Sequence, residues 1–110
     1  MATSYKILGQ AAPANTSNAD LYTVPSATEA VISTLLVTNT TGTDATCRIF
    51  ARAAGATAAT SNAVVYDGTV TANNFTAITV GITLAATDII TVRSGTGSAL
   101  TFQAFGSEIA

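Results

Sequence analysis

The chain has 110 residues, 48% of them hydrophobic and only 9% charged, with a formal net charge of −2. That hydrophobicity and small net charge exclude a disordered chain, and the length suits one domain with one core. Four basic residues without a patch exclude a nucleic-acid binder. No run of about 18 apolar residues marks a membrane span, and no leader pattern marks a secretory signal. The absence of His removes any His-based dyad, and the single Cys47 removes an internal disulfide. Ala and Thr supply roughly two-fifths of the chain, far above average usage. Small, β-branched side chains point to a sheet protein with thin side-chain layers. So little charge, where isolated soluble domains average roughly 25%, also suggests that much of the surface lies inside an assembly.

The stretch MATSYKILGQ opens with an arm or edge strand over Tyr5–Gly9, followed by the turn-rich linker AAPANTSNAD. The arm over Thr3–Gln10, carrying Tyr5, Ile7 and Leu8, is a candidate for reaching a neighbour. Residues 1–18 are accordingly read as arm and linker, and residues 19–110 as the sandwich domain. LYTV is a short strand ended by Pro25. The next stretch, VPSATEAVISTLLVTN, is ambiguous. Ser26 and Glu29 have the spacing of a helix capping box, and Val31, Ile32, Leu35 and Leu36 repeat at helical spacing. The density of Val, Ile and Thr favours a strand from about Ala30 to Asn39. NTTGTD then reads as the turn of a hairpin returning as ATCRIFARA.

That strand alternates, with Cys47, Ile49 and Ala51 on one face and Arg48, Phe50 and Arg52 on the other. Arg48, Phe50 and Arg52 form a candidate interface stripe, because Arg and aromatic residues are enriched in interface cores. AVVYD is a strand closed by Asp67-Gly68, and FTAITVGITL a strand bent at Gly81. IITVR follows, then SGTGS as a hairpin loop, then ALTFQAFG with Leu100, Phe102 and Ala104 opposite Thr101, Gln103 and Phe105. Seven or eight short strands at this spacing predict an all-β, single-domain antiparallel β-sandwich, Ig-like or jelly-roll-like, with an N-terminal arm.

No chemistry-bearing constellation emerges. The six carboxylates are scattered, and Asp20, Asp44, Asp67 and Asp88 sit where Asp accepts backbone N–H groups in turns. No catalytic, metal-binding or cofactor-binding residues are therefore expected. GTG at Gly95–Gly97 lacks the helix of a dinucleotide fingerprint. The acceptor patterns at Asn15, Asn39 and Asn74 are expected by chance in so Thr-rich a chain.

Taken in order, YKILGQAAP, LYTVPSATEAVISTLLVTN, CRIFARAAGA, GITLAATDIITV and LTFQAFGSEI resemble a family of small structural proteins of tailed bacteriophages. The resemblance implies a virion component, foremost a capsid decoration (cement) protein. A tail, baseplate or fibre-associated module is the alternative. It implies the major capsid protein or other virion proteins as partners, a trimeric or dimeric homo-oligomer, no enzymatic activity, and synthesis in the host bacterial cytoplasm. Glycan binding and hydrolysis are the remaining function classes. Exposed aromatics are few for the first, and the second lacks paired carboxylates and His.

Overall fold

The computed structural model describes residues 2–110. It contains nine strands: β1 (Thr3–Ala11), β2 (Ala19–Thr23), β3 (Glu29–Asn39), β4 (Ala45–Arg52), β5 (Ala63–Val70), β6 (Phe75–Ile78), β7 (Ile82–Leu84), β8 (Ile89–Ser94) and β9 (Leu100–Ile109). Only two short 3-10 turns, Ala53–Gly55 and Thr60–Asn62, interrupt the strand pattern. The capping-box spacing at Ser26 and Glu29 makes no helix. Ala27 takes φ +54 and the Thr28 hydroxyl donates to the Ser26 carbonyl at 3.1 Å, which turns the chain into β3.

The strands pair antiparallel as β1 with β9, β2 with β8, β3 with β6 and β7, and β4 with β5. This makes one long ribbon whose tip is the β4–β5 connection. The ribbon is then rolled, so that β9 also pairs with β3 and β8 with β4. Two sheets result: sheet I in the order β1-β9-β3-β6, with β7 also on β3, and sheet II in the order β2-β8-β4-β5. A rolled antiparallel ribbon of this order is a jelly roll, which settles the choice between the two sandwich types in favour of the second.

The roll corrects two expected hairpins. NTTGTD does not return β3 onto β4, and SGTGS does not return β8 onto β9. Each carries the chain from one sheet to the other. The true hairpin is β4–β5, across the connection that holds both 3-10 turns. Asp67-Gly68 does not close a strand either: β5 continues to Val70, with Asp67 as an extra bulged residue at φ +55 between the partners of Arg48 and Cys47. FTAITVGITL divides into β6 and β7 around Gly81 at φ +64. The N-terminal stretch is edge strand β1, hydrogen-bonded along β9.

Asn39 makes the first of these corners possible. It is 2% exposed at the end of β3. Its Nδ2 donates to the carbonyls of Thr43 and Val70 at 2.9 and 3.0 Å. Its Oδ1 accepts from the Thr41 N–H and hydroxyl at 2.9 and 2.8 Å. One amide thus satisfies the buried polar groups of a bend and ties it to the end of β5. The same burial leaves no room for a glycan at the Asn39 acceptor pattern.

The core lies between the sheets and is aliphatic. Ile32, Leu35, Val37, Leu100 and Phe102 from sheet I meet Val70, Ile49, Ile90 and Val92 from sheet II, all 1% exposed or less. Each such side chain contributes about 1.5–3 kcal/mol by leaving water. Phe102 is the one aromatic in the central cluster below 2% exposure, so the layer stays thin. The register of β3 on β9 shifts between Ile32 and Thr34, opposite Gly106 and Phe105. There the strands run so close that a Cβ on Gly106 would meet the Val31 carbonyl oxygen at 1.9 Å.

Gly106→Ala is expected to push β9 from β3 and cost about 1–3 kcal/mol, the range for overpacking, read as a lower urea midpoint. Asn39→Ala, which leaves buried corner groups without partners, should cost about 1–3 kcal/mol by the same measurement.

Candidate interaction surfaces

Residues paired across antiparallel strands share a sheet face, so the register assigns every side chain to the core or to the outside. On sheet I, Tyr5 lies opposite Ser107, and Ile7 opposite Phe105. Phe105 lies opposite Thr34, and Val31 opposite Ser107. Leu36 lies opposite Gln103 and Ala77, and Thr38 opposite Phe75. These residues alternate with the buried Ala30, Ile32, Leu35, Val37, Phe102 and Ala104, so they form the outer face. Nothing in the described chain covers it: Tyr5 is 85% exposed, Phe75 60% and Ile7 52%. Gln10 donates across strands to Gln103 at 2.8 Å. Among the described residues, this face carries no ionisable side chain other than the Tyr5 phenol and Glu29 at the start of β3.

The outer face of sheet II is the opposite. Arg48, Phe50 and Arg52 lie on it together, as the alternation of β4 requires. Arg48 and Arg93 sit directly across from one another, a like-charge pairing that is unfavourable by itself. The bulged Asp67 relieves it. Its carboxylate accepts from Arg48 Nε at 2.7 Å and Nη2 at 3.2 Å. Its pKa is held down by the Arg48 hydrogen bond first and by the charges of Arg48 and Arg93 behind it. Arg48 also stacks its guanidinium 4.1 Å from the Tyr66 ring centre, and Arg93 donates to the Thr16 carbonyl at 2.7 Å.

Arg52 works as a tether for the β4–β5 connection. Its guanidinium donates to the carbonyls of Ala56 and Gly55, to Asp20 and to the Thr91 hydroxyl. Phe50 is 4% exposed and meets Tyr66 edge-on at 6.5 Å. The β4 stripe is thus occupied by contacts within the chain. Of the residues expected to meet a neighbour, Tyr5 and Ile7 stand open on sheet I, while Leu8 packs against the core. The sequence reading did not single out Val31, Leu36, Phe75 and Phe105 for the same face.

The carboxylates divide by role. Asp88 accepts from the Ala85 N–H within its own turn, as turn chemistry predicts, while Asp88 also accepts from the Ala54 N–H and Asp44 from the Ala72 N–H, bonds that join distant loops. Asp20 and Asp67 instead hold Arg52 and Arg48. Glu108 sits at the open end between the sheets, where it accepts from the Lys6 ammonium of β1 and the Tyr22 hydroxyl of β2. Those two bonds, Lys6 first, hold its pKa below the usual carboxylate value. Burial, then the bond to and charge of Glu108, push the Tyr22 hydroxyl well above its ordinary value, so it stays a donor. Cys47 is buried, and burial with the charge of Asp67 raises its thiol pKa to about 11, which leaves it protonated and unreactive near neutrality.

No family model matches the sequence, and no curated protein matches it. Solved structures with a similar fold include two of the same virus. A chain in the structure of infectious bursal disease virus, Gx strain, superposes with a TM-score of 0.50 at 15% identity, over 97% of this chain and 31% of that one. A chain in the structure of the Gt strain gives a TM-score of 0.48 at 11% identity, over 96% and 31%. The chain therefore spans about a third of the length of the chains it resembles. At such identity the likeness is one of fold.

The triad at the open end predicts an acid response. A carboxylate with a lowered folded pKa holds its stabilisation above the unfolded value and loses it as pH falls. Stability should therefore decline as pH drops below about 4.5, the ordinary glutamate value. Glu108→Gln should lower stability at pH 7 and make this acid limb shallower, seen as a smaller change in Tm between pH 6 and pH 3.

Proposed function

We propose that this chain is a structural subunit of a virus particle, specifically a capsid decoration protein of a tailed bacteriophage, made in the bacterial cytoplasm and carried on the virion. The observation that carries the reading is the uncovered outer face of sheet I, broad and almost free of charge, on a rigid two-layer domain. An isolated soluble protein rarely leaves such a face to water, whereas a subunit of an assembly buries it. The resemblance to small tailed-phage structural proteins supports the bacteriophage assignment, and the jelly-roll likeness to a chain of a virus structure accords with it.

In this reading the protein acts by binding, not by catalysis. A decoration protein grips neighbouring subunits of the major capsid protein and resists their separation. Each specific contact buries about 1,600 Å², and repetition over a symmetric shell adds avidity. The stiffness that this requires comes from the two-sheet core, and the charged outer face of sheet II with its tethered β4–β5 connection offers polar groups for the shell.

Cryo-electron microscopy of the virions that contain this chain tests the reading. Density for the sandwich at symmetric positions on the capsid surface is expected. Density on the tail, baseplate or fibres would replace the decoration assignment with a tail-associated one.

A further inference from the structure

We propose that the outer face of sheet I seats a second copy of this chain, packed sheet against sheet about a two-fold axis. The inference stands on the geometry of this face and is independent of where the protein sits in a virion.

Charge is the first argument. The chain has four basic and six acidic residues, and their placement is one-sided. Arg48, Arg52, Arg93, Asp20 and Asp67 belong to the outer side of sheet II, and Lys6 and Glu108 pair at the open end between the sheets. Asp44 and Asp88 accept loop N–H groups. Glu29 alone lies on the outer face of sheet I, at one extremity of β3. A partner presenting charges would have to bury them against Tyr5, Ile7, Val31, Leu36, Phe75 and Phe105, with no counter-charge to meet them, which is costly. A copy of the same face presents only its own Glu29, at the margin. A two-fold axis that lies in the interface plane and crosses β9 at right angles near its middle carries the two Glu29 carboxylates to opposite ends of the contact, where each stays in water.

Area is the second argument. Sheet I is four strands wide, and β9 is ten residues long. At about 4.8 Å between strands and about 3.4 Å per residue, its face measures roughly 19 by 34 Å, or about 650 Å² in plan. Two such faces withdraw on the order of 1,300 Å² from water, inside the range of about 1,200–2,000 Å² for specific stable interfaces. Apolar side chains set among Thr, Ser and Gln also suit aligned sheet packing, in which inner-face side chains interdigitate across about 10 Å. An isologous contact of this kind closes after two subunits, so it yields a dimer and not a filament.

Sedimentation velocity of this chain across the micromolar range tests the inference, with circular dichroism to check folding. Wild-type protein is expected to dimerise. Tyr5→Glu and Phe75→Glu, made separately at exposed positions on opposite edges of the face, should each raise the dimer dissociation constant at least about tenfold, equivalent to about 1.4 kcal/mol. Val64→Glu, at an exposed position on edge strand β5 of sheet II, should leave it unchanged. A monomeric wild type, a trimer, or a dimer that ignores both sheet I variants would overturn the inference. A monomer that is nevertheless found on the capsid would overturn it and leave the virion reading intact.

Discussion

Strand β9 is bonded on both edges, to β1 on one side and to β3 on the other, and the rest of the molecule depends on that double pairing. The ribbon of antiparallel partners has no closed core until β9 lies against β3. Once it does, Leu100, Phe102 and Ala104 point into the sandwich and Thr101, Gln103 and Phe105 point out. The same strand carries Glu108 to the point where β1 and β2 converge, so the open end of the sandwich is tied by Lys6 and Tyr22. Gly106 permits the closest approach of the two strands, and the shift of register there sets which β3 residues face outward.

From that register follows an asymmetry between the two outer faces. Sheet II keeps its charges within the chain: a bulge turns Asp67 onto Arg48, which faces Arg93, and Arg52 holds the hairpin connection through the carbonyls of Gly55 and Ala56. Sheet I has almost none to keep. Its exposed side chains are aromatic, aliphatic or uncharged polar, and its one carboxylate stands at the margin. Scarcity of charge, evident from composition, is therefore also a matter of location. Almost all of the charge has been placed where pairing or water can satisfy it, and one broad surface has been left with only Glu29 at its margin.

Much of this fold was legible in the sequence because alternation is a local property. Residues 47–52 and 100–105 alternate as written, and the structure keeps their faces. β3 was harder for a physical reason. Ile32 and Leu35 point inward and Val31 and Leu36 outward, because the irregularity between Ile32 and Thr34 shifts the phase of the strand. A strand that changes phase mid-way reproduces helical spacing, and only its β-branched residues revealed it. The two mistaken hairpins have a different origin. Gly42 and the glycines at 95 and 97 allow a bend, but a bend that returns a strand to its neighbour and one that crosses to another sheet look alike locally. What separates them is the long-range pairing of β9 with β3 and of β8 with β4, together with the buried bonds of Asn39. For the candidate surface, Tyr5 and Ile7 were identifiable as exposed apolar residues of an edge, but Phe75 and Leu36 join them only through the register of β6 on β3.

The pairing of β1 with β9, about a hundred residues apart in sequence, has a kinetic consequence. Ala2 and Ala110 exchange both backbone hydrogen bonds, at 2.8 and 2.9 Å, and β1 runs alongside β9. Strand β1 therefore leaves the ribosome well before β9, the strand that it pairs with. Such pairing of distant segments incurs a large loop-closure entropy before any contact offsets it, which places folding in the millisecond-to-second range typical of non-local β topologies. In that interval β1 is an unpaired edge bearing Tyr5 and Ile7. Lys6, placed between them in sequence, puts on that edge a charge of the kind that disfavours edge-to-edge pairing.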